Sequence, residues 1–137
     1  MKSVFIDANV ILDFLDSKSP HHSVCCRALE TAFQFYKVYT SPTCFAIVYY
    51  RSKKSSRKKL AEHNQMMNEI FSDFEFTAHT PAMMKSVLKS SFSDLEDALQ
   101  YYAALDADVD YILTKNFFDF HLSEIPVVTP EMFIQTN

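Results

Sequence analysis

The stretch DLEDALQYYAALDADVDYILTKNFFDF, Asp94–Phe120, decides the fold. Its spacing predicts a helix, a short turn, a buried strand and a polar strand end. An acidic first turn (Asp94, Glu96, Asp97) leads into Ala98, Tyr101, Tyr102 and Leu105 at helical intervals. Tyr111-Ile112-Leu113 is a short apolar run, and Thr114, Asn116 and Asp119 follow where it stops. In an open α/β sheet, ligands bind just beyond the carboxyl ends of the strands. Carboxylates from a helix start and polar groups from a strand end can therefore face one site.

Working outward, the rest of the chain repeats the alternation. Val4-Phe5-Ile6 is a β run that passes directly into Asp7, and Asn9 stands where it can cap or open a helix over Val10–Leu15. Asp13 and Asp16 fall on the polar side of that helix and are expected to be solvated. His21–Tyr36 shows helical spacing, Val38–Ser41 reads as a second strand, and Pro42 suits the first turn of the next helix. Cys44–Tyr50 is apolar enough to be expected largely buried. Leu60–Phe71 continues as a helix with Met66 and Met67 as core filler. Phe74–Thr77 alternates as a third strand, and Thr80-Pro81 starts a helix over Ala82–Ser90. Ile125–Val128 is a last strand, and Thr129-Pro130-Glu131 opens a terminal helical turn. The predicted order is β-α-α-β-α-α-β-α-α-β-turn-β-α. Strands separated by helices imply right-handed crossovers and a mainly parallel sheet of about five strands, covered on both faces. Residues 1–137 are expected to form a single α/β domain of three layers.

Composition excludes several functions. There is no glycine in the chain, so it has no P-loop, no glycine-rich dinucleotide turn and no glycine-based nucleophile elbow. A net charge of -4 gives no global reason to expect nucleic-acid binding. No run approaches the roughly 18 apolar residues of a membrane span, and no signal peptide precedes the first strand. The three cysteines suit neither a disulfide framework nor a zinc site, so they are read as packing residues in a reducing cytoplasm. His21 and His22 have no third ligand at a recognisable spacing.

One segment breaks the acidic character. Six of the 13 Lys and Arg residues lie in Arg51–Lys59. Such a cluster is either a solvated connection between helices or a phosphate-contacting patch, with Lys53, Lys54, Arg57 and Lys58 as the candidate contacts to a polyanion.

On a parallel sheet Asp7, the helix start at Asp94 and Asp97, and the strand end at Asn116 and Asp119 share one edge. At an effective dielectric constant near 20, two like charges about 4 Å apart cost about 4 kcal/mol. Mg²⁺ or Mn²⁺ removes that cost, accepting one or two carboxylates together with water and phosphate oxygens. The chemistry this predicts is metal-dependent phosphodiester hydrolysis.

FIDANVILDFL, EDALQYYAA, ILTKNFFDF and IPVVTPEMF, in this order and spacing, resemble the PIN-domain nucleases, whose bacterial members are commonly VapC-type toxin ribonucleases. The resemblance spans nearly the whole chain. It implies a Rossmann-like α/β/α sandwich, a Mg²⁺ or Mn²⁺ site, RNA as substrate, a homodimer and a small antitoxin protein as partner. It matches Asp7 to the first metal-binding aspartate, with Asn9 the polar residue beside it. Asp97 matches the aspartate that opens the long helix, and Asp94 is an additional acid. Asn116 or Asp119 supplies the last polar group, preceded by Thr114. One departure stands out: the family's glutamate in the helix after strand two has no counterpart within Ser41–Tyr49, where Ile47 or a neighbour replaces it. The alternative to a nuclease is therefore a PIN-like domain that binds RNA or a protein with weak or no cleavage. A metal-dependent phosphatase is a third reading.

Overall fold

A computed structural model describes residues 1–137. Five strands form one parallel sheet: β1 (Ser3–Ile6), β2 (Lys37–Thr40), β3 (Glu75–Phe76), β4 (Tyr111–Leu113) and β5 (Val127–Val128), in the spatial order β3-β2-β1-β4-β5. Seven helices accompany them: α1 (Ala8–Leu15), α2 (His22–Phe35), α3 (Pro42–Ser55), α4 (Leu60–Phe71), α5 (Pro81–Lys89), α6 (Leu95–Asp106) and α7 (Pro130–Gln135). A 3-10 turn over Phe117–Phe120 joins β4 to β5. The element order and the three-layer α/β architecture are those expected from the sequence.

The central strand is buried because it is covered on both faces. Val4, Phe5 and Ile6 are all fully enclosed, as are Ile112 and Leu113 on β4. Each such side chain contributes about 1.5–3 kcal/mol through burial. β1 pairs with β2 through Val4–Val38 and with β4 through Phe5–Ile112 and Ile6–Leu113. The edge strands β3 and β5 have only two residues each, which limits the exposed hydrogen-bonding edge.

Three helices start by one device. Ser41, Thr80 and Thr129 each place a hydroxyl on the backbone N–H three residues on, and each is followed by proline, which has no N–H to leave unsatisfied. α2 buries Cys25, Ala28, Leu29 and Ala32, the i, i+3, i+4, i+7 stripe of an amphipathic helix.

Two local expectations are corrected. α1 begins at Ala8 and its cap is Asp7, so Asn9 lies inside the helix. Cys44–Tyr50 is not buried throughout: only Cys44 and Val48 are, one turn apart, while Phe45 and Tyr50 face outward. A helix packed on one side hides one stripe, however apolar its remaining residues are.

A chain without glycine must still turn sharply between α6 and β4. Asp108 does so at φ 54°, the one residue with positive φ. A short polar side chain tolerates this region and a β-branched one does not. Asp108→Val is expected to lower unfolding stability by about 1–2 kcal/mol in urea titration, and Asp108→Gly to leave it within about 1 kcal/mol. Equal midpoints for the two variants would contradict this account of the turn.

Candidate metal centre

With the order β3-β2-β1-β4-β5, chain direction across the sheet reverses between β1 and β4, the crevice where open α/β sheets take ligands. Asp7 follows β1 and Thr114 follows β4, and the Ile6–Leu113 pairing brings them side by side. The Thr114 hydroxyl donates to Asp7 Oδ2 at 2.8 Å, and the Ala8 N–H donates to Asp7 Oδ1 at 2.8 Å. Asn9 Nδ2 reaches both Asp7 Oδ2 and Thr114 Oγ1 at 3.3 Å, and Asn9 Oδ1 accepts the Lys115 N–H at 3.1 Å. Thr114 Oγ1 also accepts the Asn116 N–H at 3.0 Å, so this buried hydroxyl donates once and accepts twice, its full capacity.

Asp97 enters from α6. Asp94 caps that helix, its Oδ1 accepting the Asp97 N–H at 2.9 Å, which leaves Asp94 exposed and turns Asp97 inward. Asp97 is only 6% exposed, and its carboxylate receives no hydrogen bond. Its pKa is pushed up to about 7, first by burial and then by the charges of Asp7, Asp94, Asp119 and Glu96. Burial likewise raises the Asp7 pKa, against the lowering effect of its bonds from Thr114 and Ala8. Asp119 is exposed on the 3-10 turn, near enough to Asp97 for its charge to be felt there. Asn116 is exposed at the start of the same turn.

The cations nearby are engaged elsewhere. Lys115 Nζ is paired with Asp13, which also accepts from the Ser19 hydroxyl at 3.0 Å. Asp13 is therefore not solvated as expected; α1 presents it toward Lys115 of the β4 end. Arg51 pairs with Glu96 at 3.6 Å on the surface. Arg51–Ser55 forms the last turn of α3, and only 56–59 is a connection, so the basic segment is half helix. Lys54, Arg57 and Lys58 are exposed, while Lys53 is half-buried and points its ammonium at the Lys58 carbonyl, 3.4 Å away.

Below Asp97, the residue one turn later, Gln100, is buried and accepts the Ser41 hydroxyl, whose oxygen in turn caps α3 at the Cys44 N–H. Cys44 Sγ lies 3.9 Å from Asp7 Oδ1, and burial with the adjacent Asp7 charge pushes its thiol pKa up to about 12. The sequence reading passed over Gln100 and Ser41; the i+3 spacing of Gln100 from Asp97 was the available signal. Both side chains are fully enclosed, a neutral pair that joins the start of α3 to α6.

The donor set fits a hard divalent cation. It consists of carboxylate oxygens, one of them buried without any hydrogen-bond donor. No three His, Cys, Asp or Glu side chains converge to enclose an ion, so the remaining positions of such a cation would be open to water and phosphate, the coordination Mg²⁺ favours.

A parallel α/β fold with crowded carboxylates at its switch point defines an acidic-site protein of the nuclease-like class. The chain belongs to the PIN domain family, whose defining pattern matches residues 3–117. It is similar to Ribonuclease VapC1 of Aquifex aeolicus (strain VF5), 28% identical over 140 residues that cover 98% of this chain and 94% of that protein. In fold it is similar to a toxin–antitoxin complex from Klebsiella pneumoniae, with TM-score 0.70, 22% identity and coverage of 93% and 98%. It also resembles VapC20 of Mycobacterium tuberculosis, a Sarcin-Ricin loop cleaving toxin, with TM-score 0.69, 10% identity and coverage of 90% and 99%. No helix is long and apolar enough to cross a membrane.

Because Asp97 holds its proton to about pH 7 when folded and to about pH 4 when unfolded, the folded state binds more protons between these values. Stability without metal is therefore expected to fall as pH rises from 4 to 7. Asp97→Asn removes that loss, so the melting-temperature gain of the variant over the wild type should grow between pH 5 and pH 8. A gain that is constant with pH would contradict the crowding of Asp97.

Proposed function

We propose that this chain, as a single domain over residues 1–137, is a Mg²⁺- or Mn²⁺-dependent endoribonuclease and the toxin component of a toxin–antitoxin module. The observation that carries the reading is the buried, donor-free carboxylate of Asp97 in the field of Asp7, in a chain of the PIN domain family. Membership of that family and similarity to a protein named a ribonuclease support RNA as substrate. The toxin–antitoxin complexes among its structural neighbours support a small antitoxin as protein partner. Exposed Phe45, Tyr50, Leu60 and Phe76 around α3, α4 and β3 support self-association as a homodimer.

Asp7 and Asp97 would hold the cation, with Asp119, whose charge is felt at Asp97, or Asn116 on the same exposed turn as the further polar group. Held by Asp7 and Asp97, such a cation would supply Lewis-acid chemistry for phosphodiester hydrolysis. The Thr114 hydroxyl and the Asn9 amide fix the rotation of the Asp7 carboxylate. The Lys115–Asp13 pair ties the β4 end to α1 and keeps Thr114 in reach of Asp7. Asp94 orients Asp97 by capping α6. The α3 end and its connection, with Lys53, Lys54, Arg57 and Lys58, form a positive rim for the RNA backbone.

A second reading draws on α3 itself. Where the family resemblance implies a glutamate, the helix offers Cys44 and Ile47, and α3 meets α6 there through the neutral, fully buried Ser41–Gln100 pair. This supports a domain that binds RNA or a protein partner with weak or no cleavage.

Incubation with structured and unstructured RNA separates the two. Cleavage should require Mg²⁺ or Mn²⁺, stop with chelator, and fall by about 100-fold or more in Asp7→Asn and in Asp97→Asn. Cleavage unaffected by either variant would overturn the nuclease reading. Replacing Lys53, Lys54, Arg57 and Lys58 with Ala should flatten the log–log salt slope of RNA binding by up to about 3. An unchanged slope would return the segment to a solvated connection.

A further inference from the structure

We propose that Phe118, backed by Phe117, is a stacking platform for a nucleobase of single-stranded RNA flanking the phosphate held at the acidic pocket. The inference deepens the ribonuclease reading and rests on it.

The 3-10 turn that carries Asp119 is anchored from one side. With three residues per turn, Phe117 and Phe120 share a face. Phe120 is 2% exposed and packs edge-on against Phe92, with centroids 6.2 Å apart, and Phe92 packs on Tyr101 of α6 at 5.1 Å. This pins the turn to the helix that bears Asp97 and drives Phe118 outward, where it is 84% exposed. Phe117 stands edge-to-face beside it, at 5.4 Å and 89° between planes. The backbone beneath it is tied by Asp119 N–H to the Asn116 carbonyl at 3.0 Å and by His121 Nδ1 to the Phe118 carbonyl at 3.0 Å.

A single exposed phenylalanine is ordinary on a protein surface. This one lies two residues past Asn116, whose N–H donates to Thr114 Oγ1 at 3.0 Å, and Thr114 in turn donates to Asp7, so the turn adjoins the pocket. The α6 start lies between two rims: Arg51 of the basic α3 end pairs with Glu96 on one side, and the 3-10 turn packs against α6 on the other. A strand whose phosphate reaches Asp7 and Asp97 has cations for its backbone on the α3 side and aromatic rings on the other. A neutral base tolerates the adjacent carboxylate, and its π face suits an exposed ring whatever its identity. RNA recognition by proteins relies on such splayed-out, stacked bases.

The chain has no tryptophan, so Phe118→Trp installs a sole reporter, and Phe35→Trp, at the end of α2 just before β2 begins and so at the other end of the strands, serves as control. Each is titrated with a short single-stranded oligoribonucleotide with Ca²⁺ in place of Mg²⁺ or Mn²⁺, so that the phosphate can be held while cleavage is suppressed. Saturable quenching is expected for Phe118→Trp and none for Phe35→Trp. Phe118→Ala should bind the same strand more weakly by the order of tenfold, the loss of one base–aromatic stack. Wild-type binding with Phe118→Ala unchanged and Phe118→Trp unquenched overturns the platform alone and leaves the ring to a protein contact. Failure of the wild-type chain to bind any RNA overturns the platform together with the ribonuclease reading.

Discussion

The hydrogen bond from the Thr114 hydroxyl to Asp7, 2.8 Å across the crevice between β1 and β4, is the constraint on which the site depends. It exists because Ile6 pairs with Leu113, so that the next residue of each strand meets its counterpart just past the sheet edge. A slip of one residue would set Leu113 or Lys115 against Asp7 and reverse the face that every side chain of the strand presents. The buried register of β1 therefore fixes the acidic pocket as much as it fixes the core. Fold and site have the same origin.

The second consequence concerns charge. Asp7 and Asp97 are buried, and the cations nearest to them in the structure are already matched, Lys115 with Asp13 and Arg51 with Glu96. What remains in the pocket is negative charge without an internal counterion; burial raises the pKa of both aspartates, and neighbouring negative charge adds to it. An added divalent cation, or protons, can correct it. The protein thus carries a destabilising feature that a bound cation would relieve, a common trade of stability for function.

Much of this was legible in the sequence. Short apolar runs, one alternating stretch and helical spacing delivered all five strands and seven helices in order, and the Ser-Pro and Thr-Pro pairs marked three helix starts. Asp7, Asp97 and Thr114 stood out because each sits where a strand ends or a helix begins. What was not legible came from long-range packing. Whether Asp7 or Asn9 caps α1 depends on side-chain rotation set by Thr114, a residue 107 positions away. The partner of Asp13 is 102 positions away. The outward turn of Phe45 and Tyr50 reflects which side of α3 has neighbours, and the exposure of Phe118 follows from the anchoring of Phe120 against Phe92. Local pattern carries no information about any of these.

The central claim is that a divalent cation takes the place of a proton between Asp7 and Asp97. Calorimetric titration of Mn²⁺ at pH 6.5, in two buffers of different ionisation enthalpy, counts the protons released on binding. The account predicts release approaching one proton per ion at pH 6.5, falling toward zero by pH 8.5, and absent in Asp97→Asn. Mn²⁺ binding without proton release at pH 6.5, or no binding at all, would contradict it.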